Sequence, residues 1–412
     1  MISNSLKLWL WRWHVIAGLF VLPFIILLAT TGAIYLFKDQ YRANIEAPML
    51  ATTEGEPLPL SQQFDMANMF SQNPLTHIEV ADGQATHFYN GRFSPNESVY
   101  VDPATGGITG QYIRSNDIME TIRNLHGELL MGDYGTKVIE LVASWLVVLI
   151  ITGIVVFWPR KQPILNLVRV RLNKGKRIMM RDLHAVLGFW ISAFLLVIIA
   201  GGLPWTDLFG ANFHKLKEAT NSGYPATWFS SRSLNSTVAG EALTLDEMFA
   251  IAQAQELPGK VYLALPQTSD SVFTVSNSAK LSEQQVMHFD QYSGELLLHH
   301  TWDEVGMLSA GQQVVMRLHQ GEFFGIANWL IALFTCIALV ALSLAGITSY
   351  LMRKPKGKLG LPKPPASFRV GLGTLVLIAA LGLILPAFGI SVLIIVVVSW
   401  LSSLRKPSVR AA

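Results

Sequence analysis

The sequence predicts a mainly α membrane protein. Its expected parts are a four-helix transmembrane bundle, a C-terminal helical hairpin and two small α+β modules outside the membrane, all built by internal duplication. Three observations carry this prediction: four long apolar runs, a sorting of charge between the segments that join them, and one order of motifs that occurs twice. With 51% hydrophobic and 14% charged residues among 412, the chain is too apolar for an ordinary soluble protein and too polar for spans alone.

A span needs about 20 mostly apolar residues to cross roughly 30 Å of hydrocarbon. Residues 14–36, 137–158, 184–206 and 327–351 meet that length. The first run follows Lys7 and Arg12 but is longer than a signal-peptide core and lacks a small-residue exit, so it reads as a retained span. The stretch 370–404 is too long for one crossing and is interrupted by "LPAFG" at 385–389, which suggests two short helices in a hairpin. The remaining segments are the N-terminus and first span (1–36), an outer module with its lead-in (37–136), a basic loop (159–183), a second outer module with its lead-in (207–326), a second basic loop (352–369), and the hairpin and tail (370–412).

Charge sets the orientation. The loops hold Arg160, Lys161, Arg169, Arg171, Lys174, Lys176, Arg177 and Arg181, then Arg353, Lys354, Lys356, Lys358, Lys363 and Arg369. With Lys7, Arg12, Arg405, Lys406 and Arg410, this side carries 19 of 31 basic residues and one acid, Asp182, of 28. The positive-inside rule makes this face cytoplasmic, with both termini inside and both large segments outside. The total of +3 hides this segregation, and topology accounts for the basic face without any nucleic-acid partner. The only cysteine, Cys336, lies in the fourth span, so no intrachain disulfide and no cysteine-built iron–sulfur or zinc site is available.

The duplication is read from motifs in order. The first half runs "WHVIAG" (13–18), "VYVDPATGGITG" (99–110) and "LHGE" (125–128). The second runs "LHAVLG" (183–188), "MHFDQYSGELLLH" (287–299) and "LHQGE" (318–322). Within the second outer segment, "EALTLDEMFAIAQAQ" has helical spacing behind a capping Thr244 with Glu247 three residues on. "GKVYLALPQ" and "DSVFTVSNS" alternate like half-buried strands, and "FDQYSGELLLHH" reads as two strands around a glycine turn. Residues 56–114 give the same order more faintly.

Four of the ten histidines stand where the plan repeats: His14 and His184 open spans leaving the cytoplasm, and His126 and His319 precede spans returning to it. An inner and an outer pair of imidazoles suits two bis-histidine haem b groups, each with both axial positions filled by facing helices, a coordination that favours electron transfer. Gly18, Gly188, Gly127, Gly321 and Gly325 either clear space for a macrocycle or let helices pack closely. Arg12, Arg177 and Arg181 near the inner pair are candidate propionate partners, or simply part of the positive-inside bias. Arg123 and Arg317 beside the outer pair face outward and escape that alternative. If the lead-ins to the outer histidines were helical, they would lift His126 and His319 roughly 12 to 16 Å above the hydrocarbon; "GDYG" at 132–135 could break the helix and shorten that lift. His299 and His300 are adjacent on a strand and point to opposite faces. They and His77, His87, His214 and His288 are assigned structural or surface roles, with His214 and His300 the first to reconsider.

The "D-x-x-[ST]-G" turns at Asp102–Gly106 and Asp290–Gly294, with "WRWH", "DLHAVLGFW", "LHGELLMGDYG" and "LHQGEFFG", resemble the PepSY-associated transmembrane family across almost the whole chain. The resemblance implies PepSY-like outer modules, a bacterial inner-membrane location, and kinship with haem-containing reductases of ferric siderophores. The expected activity is reduction of a periplasmic ferric chelate, with Glu128 and Glu322 as polar contacts to substrate or released iron. No "GxGxxG" follows an expected strand, and the cytoplasmic loops are too short for a flavin or nicotinamide domain. Electrons would come from a separate flavin reductase, reduced flavin or quinol. The alternative reading is a membrane anchor whose outer modules bind or inhibit a protease or peptide, without haem. A transporter is disfavoured because the spans lack charged residues at mid-depth.

Overall fold

The computed structural model describes residues 3–80, 83–91, 95–159, 163–229, 231, 233–363 and 369–404. Of the basic residues counted above, Arg160, Lys161, Arg405, Lys406 and Arg410 lie outside the described residues. In chain order the helices are α1 (Asn4–Tyr35), α2 (Lys38–Glu46), α3 (Leu60–Phe70), α4 (Ile118–Glu128), α5 (Asp133–Phe157) and α6 (Lys176–Gly202). They continue with α7 (Leu208–Ala219), α8 (Leu245–Ala254), α9 (Met307–His319), α10 (Ile326–Arg353), α11 (Leu372–Ile384) and α12 (Pro386–Leu404). The strands are β1 (His77–Val80), β2 (Thr86–Asn90), β3 (Glu97–Val101), β4 (Ile108–Ile113), β5 (Lys260–Ala264), β6 (Phe273–Ser278), β7 (Gln285–Phe289) and β8 (Leu296–Thr301).

The chain divides into a helical unit, residues 1–36, 122–216 and 311–412, and a sheet unit, residues 37–121 and 217–310. In the helical unit, α1 packs along α5 and α10, and α6 packs along the same two helices. The Ser3 hydroxyl accepts the Leu6 N–H at 3.1 Å and caps α1. Ala17, Val21, Ile25 and Ala29, each four residues beyond the last, form its buried stripe. The opposite faces stay apolar and open: Phe20, Trp190, Phe334 and Ile337 are all exposed, an arrangement suited to hydrocarbon rather than water. Among the described residues, five helices are long and apolar enough to cross a membrane: α1, α5, α6 with its short extension to Trp205, α10 and α12.

The C-terminal stretch forms two consecutive helices of unequal length. Pro386 stops α11 and occupies the first position of α12, where its missing N–H costs nothing. The resulting α12 has 19 residues, enough to cross alone, whereas α11 has 13. The hairpin docks on α5, where the Trp145 indole N–H donates to Ser391 Oγ at 3.1 Å and the Phe388 ring stands edge-on at 5.0 Å.

The sheet unit differs from two separate modules. All eight strands form one antiparallel sheet in the order β4-β3-β2-β1-β5-β6-β7-β8. The halves join by pairing β1 with β5, His77 opposite Ala264 and Ile78 opposite Leu263. Four strands from each half would leave β1 and β5 as open edges with unpaired N–H and C=O groups, and their mutual pairing removes both edges. Phe88, Ile78, Leu263 and Phe273 are fully buried in the core shared with α3 and α8. Asp246 of the second half also caps α3 of the first, accepting the Leu60 N–H at 2.6 Å. Thr244 and Glu247 form the expected capping box of α8. The two "D-x-x-[ST]-G" turns are matched in conformation: Gly106 and Gly294 both have φ of 71°. The Asp102 carboxylate accepts the Thr105 hydroxyl, and that of Asp290 accepts the Ser293 N–H.

Candidate functional site: two facing histidine pairs

The four repeat-matched histidines all lie in the helical unit, and they meet in two pairs. The His14 and His184 ring centroids are 6.3 Å apart with planes at 79°, and those of His126 and His319 are 6.1 Å apart at 78°. Each pair joins the two halves of the repeat.

The hydrogen bonds fix all four tautomers. His184 Nδ1 lies 2.9 Å from the Leu342 carbonyl and His319 Nδ1 2.6 Å from the Ile198 carbonyl. A carbonyl only accepts, so both Nδ1 atoms carry the proton. His14 Nδ1 is 3.0 Å from Thr152 Oγ1, and His126 Nδ1 is 3.0 Å from Thr31 Oγ1. Each threonine already donates its own hydroxyl proton within its helix, Thr152 to Val148 and Thr31 to Leu27, both at 2.8 Å. The threonine oxygens therefore accept, and these Nδ1 atoms are protonated too. In the neutral ring this leaves the lone pair on Nε2, the arrangement a histidine metal ligand requires.

The supports cross within each half. His14 of α1 rests on α5, and His126, just ahead of α5, rests on α1. His184 of α6 rests on α10, and His319, at the end of α9, rests on α6. Glycines provide the clearance: a Cβ added to Gly153 would stand 3.1 Å from His14 Cε1, and one on Gly32 3.3 Å from His126 Cε1. On Gly346 it would stand 2.7 Å from His184 Nδ1, and on Gly201 2.6 Å from His319 Cβ. Two facing lone pairs can take opposite positions on one metal. Among the described residues there is no group of three or more His, Cys, Asp or Glu side chains able to hold a metal ion, so such a metal would bring its remaining donors with it.

Residues 11–353, a stretch containing all four histidines and both matched turns, match the family described as PepSY-associated TM region. The chain belongs to this family. The hairpin α11–α12 lies beyond the matched part of this PepSY-associated chain. No curated protein matches the chain.

In this family member the break offered at "GDYG" is present, and the outer histidines are not lifted on helical lead-ins. The lead-ins do not continue the spanning helices. Leu129 and Leu130, with φ of 51° and 58°, and Gly132, with φ of 56°, break the chain between α4 and α5, and Gly325, with φ of 58°, opens α10 in the same way. Glycine is needed at 135 as well, because a Cβ there would collide with the Glu128 carbonyl. The chain thus folds back, bringing His126 level with Thr31 and His319 level with Ile198, inside the ends of α1 and α6.

The expected glycines serve mixed ends. A Cβ on Gly127 meets nothing within 4 Å, whereas one on Gly18 makes ordinary contact with Leu149 at 3.9 Å, so neither glycine is required by crowding within the chain. Gly188 is tight against Leu342, and Gly321, with φ of 78°, ends α9 in a left-handed conformation. Of the candidate arginines, Arg12, Arg181 and Arg123 have polar partners within the chain. Arg12 donates to the Pro362 carbonyl at 2.6 Å, Arg181 to Asp182 at 2.8 Å, and Arg123 to Asn124 Oδ1 at 2.7 Å while lying 3.9 Å from Glu128. Arg317 stands on the last turn of α9, two residues before His319.

Sequence reasoning missed the supports themselves, Thr31, Gly32, Thr152, Gly153, Gly201 and Gly346. Their signal was present: "ATTGAI", "IITGIV", "IIAGGL" and "SLAGIT" place a Thr-Gly or Ala-Gly pair in each of four apolar runs, though the first run holds a second such pair, Ala17-Gly18.

Proposed function

We propose that each histidine pair would hold one haem b, and that the chain carries electrons across a bacterial inner membrane to reduce a ferric siderophore or other ferric chelate. The separation of the paired rings carries this reading. Two metal–imidazole bonds of about 2.0 Å, with each centroid about 1.1 Å behind its nitrogen, put the centroids of head-on ligands about 6.2 Å apart. The observed 6.3 and 6.1 Å flank that value.

Haem b, when bound, supplies a reversible one-electron iron couple. The protein's part is to hold, orient and insulate. His14 with His184 would hold one haem and His126 with His319 the other, each ring offering the iron its Nε2. Thr152, Leu342, Thr31 and Ile198 fix the ligand tautomers, Gly153, Gly346, Gly32 and Gly202 let the rings lie close against their neighbouring helices, and Gly201 lets the backbone of α9 approach α6. The four helices α1, α5, α6 and α10 act as a bundle whose core separates the pairs from one another. Thr31 is 17 residues beyond His14 on one helix, which sets the two levels about 25 Å apart along the axis.

In this reading the basic ends face the cytoplasm, and the outer pair, set into the helix ends rather than raised above them, meets substrate at the membrane boundary. Reduction favours release because Fe(II), with lower charge, is held less tightly by hard oxygen donors. Electrons enter from a flavin reductase, reduced flavin or quinol.

The experiment is to reduce the purified protein in detergent without excess reductant, then add a ferric hydroxamate or catecholate with an Fe(II)-specific chelator. Reoxidation of the protein with appearance of the Fe(II) complex is expected. A reduced protein indifferent to every ferric chelate would contradict the substrate assignment. A protein that binds no haem would favour the anchor reading, in which the sheet unit binds a protease or peptide.

A further inference from the structure

The four supports are of two kinds, and each histidine pair contains one of each. His184 and His319 donate to main-chain carbonyls. His14 and His126 donate to threonine hydroxyls and also face the Leu149 and Leu28 carbonyls of the same helix turns, so the threonines add a second acceptor. A hydroxyl is a weaker acceptor than a helix carbonyl, and it is held in acceptor geometry only because its own proton goes to the helix, to Val148 from Thr152 and to Leu27 from Thr31. The buried positions of Thr31 and Thr152, 6% exposed each, keep water from replacing them. Valine has nearly the same shape and no acceptor, so these two positions separate packing from hydrogen bonding.

We propose that Thr31 and Thr152 are positioning residues that lock His126 and His14 in the Nδ1–H tautomer and set how strongly each ring donates to the metal. This inference rests on the haem reading above. An Nδ1–H that finds an acceptor makes Nε2 more electron-rich and stabilises the oxidised iron. Removing the threonine acceptor tilts that site toward the reduced state. Each threonine serves one pair only, so the two effects are independent.

The test is a potentiometric redox titration of the full-length protein in detergent, with haem content measured in parallel, for Thr152→Val, Thr31→Val and the corresponding Ser variants. Each Val variant is expected to shift the reduction equilibrium of one haem about tenfold toward the reduced form, about 59 mV for a one-electron couple, and leave the other unchanged. The Ser variants are expected to titrate like the parent. Loss of one haem from a Val variant with its retention in the Ser variant also supports the assignment, because the hydroxyl is then what holds the ligand. Unchanged potentials in Val variants that keep both haems would overturn this inference alone, as would equal haem loss in Val and Ser. A parent protein without haem overturns the haem reading and this inference with it.

Discussion

Gly346 and His184 are so close that a methyl group on the glycine would stand 2.7 Å from Nδ1 and 3.0 Å from Cε1. Both atoms belong to a ring held by the Leu342 carbonyl, so it cannot turn away without losing its bond. Overpacking of this kind costs about 1 to 3 kcal/mol. Gly346→Ala is therefore expected to lower occupancy of the His14–His184 site, taking haem content from two per chain toward one. Gly32→Ala is the control, since its methyl would lie 3.3 Å from His126 Cε1 and needs a shift of only a few tenths of an ångström. Pyridine haemochrome assays of both variants check this graded outcome; equal loss in the two would contradict it.

Gly135 tests the fold-back that sets the depth of His126. The first turn of α5 lies against the Glu128 carbonyl, and neither backbone can yield as a side chain can. Gly135→Ala is expected to destabilise the protein by about 3 kcal/mol, seen as a fall in melting temperature in detergent. The same substitution at Gly127, which meets nothing within 4 Å, should leave the melting temperature nearly unchanged.

The dock of the hairpin on α5 rests partly on one side-chain hydrogen bond. Trp145→Phe and Ser391→Ala each remove the bond between Trp145 and Ser391, at about 0.5 to 1.5 kcal/mol. A double-mutant cycle read by thermal unfolding should show that the two losses are not additive. Full additivity would show that the bond contributes nothing.

The sheet unit predicts its own pH dependence. Burial pushes the His77 imidazole down from 6.5 to about 4, while the ring stacks on Tyr89 at 5.0 Å. Its folded-state pKa is thus depressed. The associated stability is complete above pH 6.5 and is lost as pH falls from there to about 4, because the unfolded chain takes up a proton that the folded ring refuses. The full loss is about 3 kcal/mol. His77→Phe keeps an aromatic ring against Tyr89 and should flatten the fall in melting temperature between pH 6.5 and 4; an unaltered slope would remove His77 as its source.

Much of this architecture was legible because hydropathy and repetition act on long stretches. Four apolar runs stand out of any window, and the doubled order of His, Asp-turn and Leu-His motifs marks equivalent positions whatever the fold between them. The histidine pairing followed from the same symmetry. The continuous sheet was not legible, because pairing β1 with β5 depends on two edges meeting across about 180 residues of sequence and nothing local in "HIEV" names its partner. The break ahead of α5 was legible in part, in the Gly132 of "GDYG", but not in Leu129 and Leu130, whose left-handed backbone is a conformation leucine rarely adopts. The supports escaped because Thr-Gly and Ala-Gly pairs read as ordinary close-packing residues in a membrane helix. Only the positions of the rings show what they support. The partners of the arginines were not legible either: Arg12, Arg181 and Arg123 donate to Pro362, Asp182 and Asn124, contacts that no local motif announces.

The paired histidines are the centre of the account, and haem content tests them most directly. The purified parent protein should bind two haem b per chain, giving reduced-minus-oxidised bands of the b type. His184→Ala and His126→Ala should each retain one haem and lose the other. A parent with no haem, or a single substitution that removes both haems from an otherwise folded protein, would contradict the assignment of two independent bis-histidine sites.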